Sequence, residues 1–76
     1  MNASLIDDAV LAVAEVQWHK VAMVITKAAQ RLGSDLPEGE TGHRLVARRI
    51  AALVREGRLV AQGDISQWRH GEVRLA

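Results

Sequence analysis

The chain is 76 residues long, 49% apolar and 25% charged, which describes one globular domain near the lower size limit for a core without disulfides or metals and argues against disorder. It has no Cys, which rules out a disulfide framework, a thiolate nucleophile and a Cys-based zinc site, and fits a reducing compartment. The net charge of +1 does not mark a nucleic-acid binder, but the charge comes in blocks. Residues 1–16 carry Asp7, Asp8 and Glu15 without a base; residues 17–33 carry Lys20, Lys27 and Arg31 without an acid; residues 34–41 carry Asp35, Glu38 and Glu40. Residues 42–58 then carry Arg44, Arg48, Arg49, Arg55 and Arg58 against Glu56, so a basic face is expected despite the small net charge.

Early acids replace the basic n-region of a signal peptide, and no apolar run approaches the roughly 20 residues of a membrane span, so a cytoplasmic protein without a membrane partner is expected. The first helix is predicted to start after Ser4, with Ser4-Leu5-Ile6-Asp7 close to a capping box and the acids at the positive helix end, and to end near Ala14. Leu5, Ile6, Ala9, Ala12 and Val13 form its apolar face, and Leu11 falls off it. A second helix is predicted from about Gln17 to Leu32, stopped at Gly33, with Trp18, Val21, Ala22, Ile25, Ala28, Ala29 and Leu32 as its buried stripe and Lys20, Lys27 and Arg31 opposite.

Ser34 to Glu40 reads as a loop of turn residues, roughly twice the three or four residues of a tight helix-turn-helix turn. The third helix is predicted over Thr41 to Glu56, with Gly57 as its stop and Val46, Ile50, Leu53 and Val54 as its stripe. At about 100° per residue, Arg44, Arg48 and Arg55 fall in a narrow opposite sector, flanked by the small Ala51 and Ala52. Arg49 points toward the margin of the apolar face, where Glu72 or Asp64 would pair with it. Arg58 to Gln62 alternates weakly and Glu72 to Leu75 clearly, as two strands joined by a broad tip from Gly63 to Gly71.

The ending Gly57-x-Leu59-x-x-x-Gly63-Asp64-x-Ser66-x-Trp68-Arg69-x-x-Glu72-Val73-Arg74-Leu75 resembles that of an uncharacterised bacterial domain family. So do Trp18 and the run Arg49-Ile50, Leu53-Val54, Gly57. The resemblance covers nearly the whole chain and implies the same fold; it implies no activity.

Two constellations compete for a functional role. In the tip, Asp64 and Ser66 can satisfy backbone N–H groups while Trp68 folds back over the hairpin; alternatively the tip presents Trp68, Arg69 and His70 to a groove or partner. Each tryptophan can bury on the order of 200 Å², a large share in a chain with no Phe or Tyr. Arg44, Arg48 and Arg55 are either an ordinary solvated face, partly paired to Glu40, Glu38 or first-helix acids, or contacts to phosphate and base edges. His19, His43 and His70 lack metal-ligand spacing, and Asp64, Ser66 and His70 sit on a loop without the pocket a triad needs.

The expected fold is α+β: three helices followed by a C-terminal antiparallel β-hairpin, winged-helix-like, over residues 1–76. Its expected core is Leu5, Ile6, Ala9, Val13, Trp18, Val21, Ile25, Leu32, Val46, Ile50, Leu53, Leu59, Val73 and Leu75. No catalytic, cofactor or metal site and no small-molecule substrate is expected. The first functional reading is a non-enzymatic module binding a protein partner or itself, with Leu11, Met23 and Val24 on its surface if solvent-facing. The second is DNA binding through the third helix and wing, with Arg44, Arg48, Arg55 and Arg69 as contacts.

Overall fold

The computed structural model describes residues 2–76. Its elements are α1 (Ala3–Val13), β1 (His19–Lys20), α2 (Val21–Leu32), a 3-10 turn (Gly33–Asp35), α3 (Gly39–Arg55), β2 (Leu59–Gln62) and β3 (Glu72–Leu75). The class is α+β, and the order of elements is compatible with a winged helix. Among the described residues no helix is long and apolar enough to cross a membrane.

α1 starts earlier than its sequence suggests. Asn2, not Ser4, is the N-cap: its Oδ1 accepts the Ser4 N–H at 2.8 Å. Asp7 therefore lies beyond the first turn, where it serves a tertiary contact instead of the helix dipole. The buried residues are Ile6, Ala9 and Val10, with Val13 packed beside them. This i, i+3, i+4, i+7 set turns Leu5 about 90° away from the core, and Leu5 is 48% exposed.

α2 starts four residues later than expected from Gln17. His19 and Lys20 leave the helix to pair antiparallel with Val73 and Glu72 of β3. The pairing gives the backbone groups on the outer edge of β3 partners within the protein. The pairing continues upstream, where the Leu75 N–H donates to the Glu15 carbonyl at 2.8 Å. Lys20 thus does not share a helix face with Lys27 and Arg31. Trp18 is not on the helical stripe or in the core cluster; it is half-buried, with the Arg74 guanidinium carbon 5.1 Å from its ring centroid.

The sheet is antiparallel with strand order β1-β3-β2, and β2 pairs with β3 from Leu59–Leu75 to Gln62–Glu72. Val73 and Leu59 face the core by strand alternation, as the sequence suggests. The core gathers Ile6 and Val10 of α1, Val21, Val24, Ile25 and Ala28 of α2, Val46, Ile50 and Leu53 of α3, and these strand residues. Val13 and Leu75 pack at its margin. Val24 is buried, Leu11 half-buried and Met23 43% exposed, so the three do not make a shared surface.

The connection from α2 to α3 is more ordered than a loop. After the 3-10 turn, Leu36 is buried and joins the core. It seats against Gly42 in the first turns of α3. A Cβ there would collide with the Pro37 carbonyl oxygen and come within 3.0 Å of Leu36 Cγ. α3 ends in a Schellman closure at Gly57, with Arg58 N–H on the Leu53 carbonyl at 2.9 Å and Gly57 N–H on the Val54 carbonyl at 3.1 Å.

Gly42→Ala is expected to cost about 1–3 kcal/mol by overpacking, read as a lower urea midpoint with an unchanged slope. Thr41→Ala, one residue earlier and exposed, is expected to stay within about 0.5 kcal/mol of the parent chain.

Candidate interaction site between the third helix and the hairpin loop

The segment from Gly63 to Gly71 turns back on itself instead of extending as a wing. Asp64 Oδ1 accepts both the Ser66 N–H at 3.0 Å and the Ser66 Oγ–H at 2.6 Å. The Gln67 N–H then donates to the Asp64 carbonyl, and the His70 and Gly71 N–H groups to the Gln67 carbonyl. These bonds to Ser66 hold the Asp64 carboxyl below the usual carboxylate range.

The folded loop closes onto α2. Lys20 at the N-cap makes no side-chain capping bond. The Gly71 carbonyl accepts the Val21 N–H at 3.0 Å, and the Trp68 carbonyl accepts the Ala22 N–H at 2.9 Å. Two orphan donors of the helix start are met by backbone from the far end of the chain. Gly71 lets the two ends of the loop close on each other: a Cβ there would lie 2.6 Å from the Asp64 carbonyl oxygen and 2.6 Å from Ile65 Cα.

Held this way, the loop packs Ile65 and Trp68 against the margin of the core. It leaves a groove of about 340 Å³ between itself and α3, lined by Arg44, Ala47, Arg48, Ala51, Ile65, Ser66 and Trp68. A neighbouring depression of about 380 Å³ adds Glu40, Gln67, Arg69 and His70. Of the candidate contact residues, Arg44, Arg48, Trp68, Arg69 and His70 thus gather around one surface. Arg55, nearer the C-terminal end of α3, lines neither hollow.

The arginines differ in their partners. Arg44 Nη2 meets Glu40 Oε1 at 2.9 Å, and both side chains are well exposed. Among the described residues, Arg48 and Arg55 have no carboxylate at ion-pair distance. Arg49 pairs with neither Glu72 nor Asp64. It forms a two-pronged bond to Asp7, with Nε on Oδ1 at 2.7 Å and Nη2 on Oδ2 at 3.0 Å, and has Glu56 at 3.9 Å. The Asp7 hydrogen bonds raise the Arg49 pKa further, with the charges of Asp7 and Glu56 adding and partial burial opposing. Arg49 therefore ties α3 to α1. Ala52, expected beside the basic sector, is buried; Ala47 and Ala51 floor the groove instead.

The residue types of a triad do not form one. Ser66 Oγ gives its hydrogen to Asp64, and no hydrogen bond among the described residues joins His70 to Ser66. His19 lies 3.6 Å from Glu15, far from this surface in the chain, with a buried Nε2 that lacks a hydrogen-bond partner. Among the described residues, no three His, Asp or Glu side chains gather as metal ligands do.

Sequence reading missed the groove's floor. Ile65, the aliphatic residue between Asp64 and Ser66, and Ala51, small and beside the basic sector, carried a signal for it; the role of Ala47 depends on where the loop lands. No protein-family model, curated protein or solved structure matches the chain.

Gly71→Ala is expected to push the loop off α2, costing about 1–3 kcal/mol and shifting Trp68 fluorescence to the red. The Asp64 carboxylate has a depressed folded-state pKa, so its contribution is complete above the ordinary carboxylate pKa and is lost as pH falls through the lowered one. The Ser66 amide shift should therefore titrate at lower pH in the folded chain than in a peptide of residues 62–68, and Asp64→Asn should remove that inflection.

Proposed function

We propose that this chain is a small non-enzymatic interaction module that docks a protein partner in the groove between α3 and the hairpin loop. The observation that carries the reading is the make-up of that groove: an apolar floor of Ala47, Ala51, Ile65 and Trp68 beneath exposed Arg44 and Arg48. Aromatic and arginine side chains around a small pocket are the composition of protein-binding hot spots. A bulky aliphatic or aromatic peptide side chain fills such an apolar floor, whereas the outward-facing groups of a nucleic-acid backbone are charged phosphates. The folded loop also spends its backbone on α2 and offers no extended wing to a duplex. The resemblance of the Gly57–Leu75 ending to an uncharacterised bacterial family enters this proposal as support for the fold alone, and a cytoplasmic setting fits the Cys-free sequence.

A second reading, DNA binding along α3, is favoured by one observation. Arg44, Arg48 and Arg55 share the exposed side of α3, and two of them lack an ion-pair partner among the described residues. The two readings separate at Arg55, which lies outside the groove. Phosphate contacts would use Arg48 and Arg55 alike and weaken linearly in log salt; a groove-bound peptide uses Arg48 and ignores Arg55.

An amide-shift NMR titration with a short mixed-sequence duplex, at about 50 mM and then about 150 mM salt, distinguishes them. The proposal expects no localised shifts on residues 43–58 and 66–71. Localised shifts that fade with salt, and that vanish in Arg55→Glu as in Arg48→Glu, would move the function to DNA.

A further inference from the structure

The two hollows beside α3 are continuous in their lining. Arg44, Ser66 and Trp68 belong to both. The first, about 340 Å³, is at the small end of the roughly 300–1,000 Å³ of small-molecule sites. Its floor is aliphatic and aromatic, so it suits an apolar side chain or two better than a polar metabolite. The second, about 380 Å³, mixes Arg69, His70 and Gln67 with Glu40.

Charge selects among peptides. Arg48 stands on the rim without a carboxylate at ion-pair distance among the described residues. Arg44 is held by Glu40 in an exposed i, i+4 pair. Such exposed pairs contribute little, so an incoming carboxylate can replace Glu40 at little cost. Arg69 extends the positive charge beyond the apolar floor. A basic segment would meet Arg44, Arg48 and Arg69 as like charges. A neutral apolar segment would fill the floor and leave the arginines unused.

We infer that the groove takes an acidic peptide segment that places one bulky aliphatic or aromatic side chain over Ala47, Ala51, Ile65 and Trp68, with flanking carboxylates on Arg44, Arg48 and Arg69. The inference rests on reading the groove as a docking site and names the chemistry of its occupant. Apolar burial fixes the anchor, and the arginines set the sign of the flanks and speed encounter.

The test is selection of a displayed library of random 12-residue peptides on the intact chain, followed by NMR mapping with one enriched peptide. The expected result is enrichment of sequences holding several Asp or Glu around a Leu, Ile, Phe or Trp. Such a peptide should shift the amides of residues 44–51 and 65–70. Its affinity should fall at least about tenfold in Arg48→Glu and less in Arg48→Gln, stay unchanged in Arg55→Glu, and fall with salt. Arg48 is exposed, so these variants keep the fold, as their unfolding midpoints will show. Enrichment of neutral or basic peptides that map to the same residues would overturn the acidic occupant and leave the docking groove standing. Shifts of the same amides on raising the chain's own concentration, with a matching mass increase in sedimentation, would overturn it in favour of a second copy. No enrichment would overturn the acidic occupant and the docking groove together.

Discussion

Two hydrogen bonds from the hairpin loop to the start of α2 govern this fold. α2 begins at Val21 directly after a strand, with Lys20 in the N-cap position and no side chain to meet its first N–H groups. Unmet donors at a buried helix end are costly. The carbonyls of Gly71 and Trp68 meet two of them, and in doing so decide where the loop lies. A loop pinned there cannot extend as a wing. It sets Ile65 and Trp68 beside Ala47 and Ala51, and the groove is the space left between them. Asp64 holding Ser66 keeps the loop's first turn in shape, and the bare Cα of Gly71 lets its two ends touch.

Electrostatics sort the arginines of α3 into structural and available. Arg49 is bound through both prongs to Asp7, which fixes α1 against α3 across the chain. Arg44 has a weak exposed partner on its own helix. Arg48 and Arg55 keep their charge toward solvent. The acidic first block of the sequence therefore neutralises one arginine at the margin of the core and leaves the basic stripe nearly intact. Of that stripe, the exposed Arg44 and Arg48 line the groove.

Periodicity made the three helices legible because long stripes average over many residues, and the clear alternation of Glu72 to Leu75 with the weaker one of Arg58 to Gln62 marked the β2–β3 pair. Helix starts were not legible, since one side chain caps α1 and backbone from the far end of the chain meets the start of α2. Asn2 displaced Ser4 as the cap, and a two-residue strand at His19–Lys20 is too short to show a period. That strand is defined by its pairing with β3, a tertiary contact invisible in the local sequence. The same limit hid Leu36, buried by its contact with Gly42, and Val10, which replaced Leu5 once the α1 face was set. Of the site, Arg44, Arg48, Trp68, Arg69 and His70 were legible as chemistry-bearing residues, in two separate constellations. Their grouping with Ala47, Ala51 and Ile65 depends on where the loop docks, which no local pattern encodes.

Amide hydrogen exchange at Val21 and Ala22 tests the central claim most directly. First-turn amides of a helix without a cap exchange as solvent-exposed groups do. With the loop carbonyls in place, these two should be protected to nearly the level of Ile25 in the helix interior. Protection at Ile25 with fast exchange at Val21 and Ala22 would mean that the loop does not rest on α2, and the groove built on that contact would go with it.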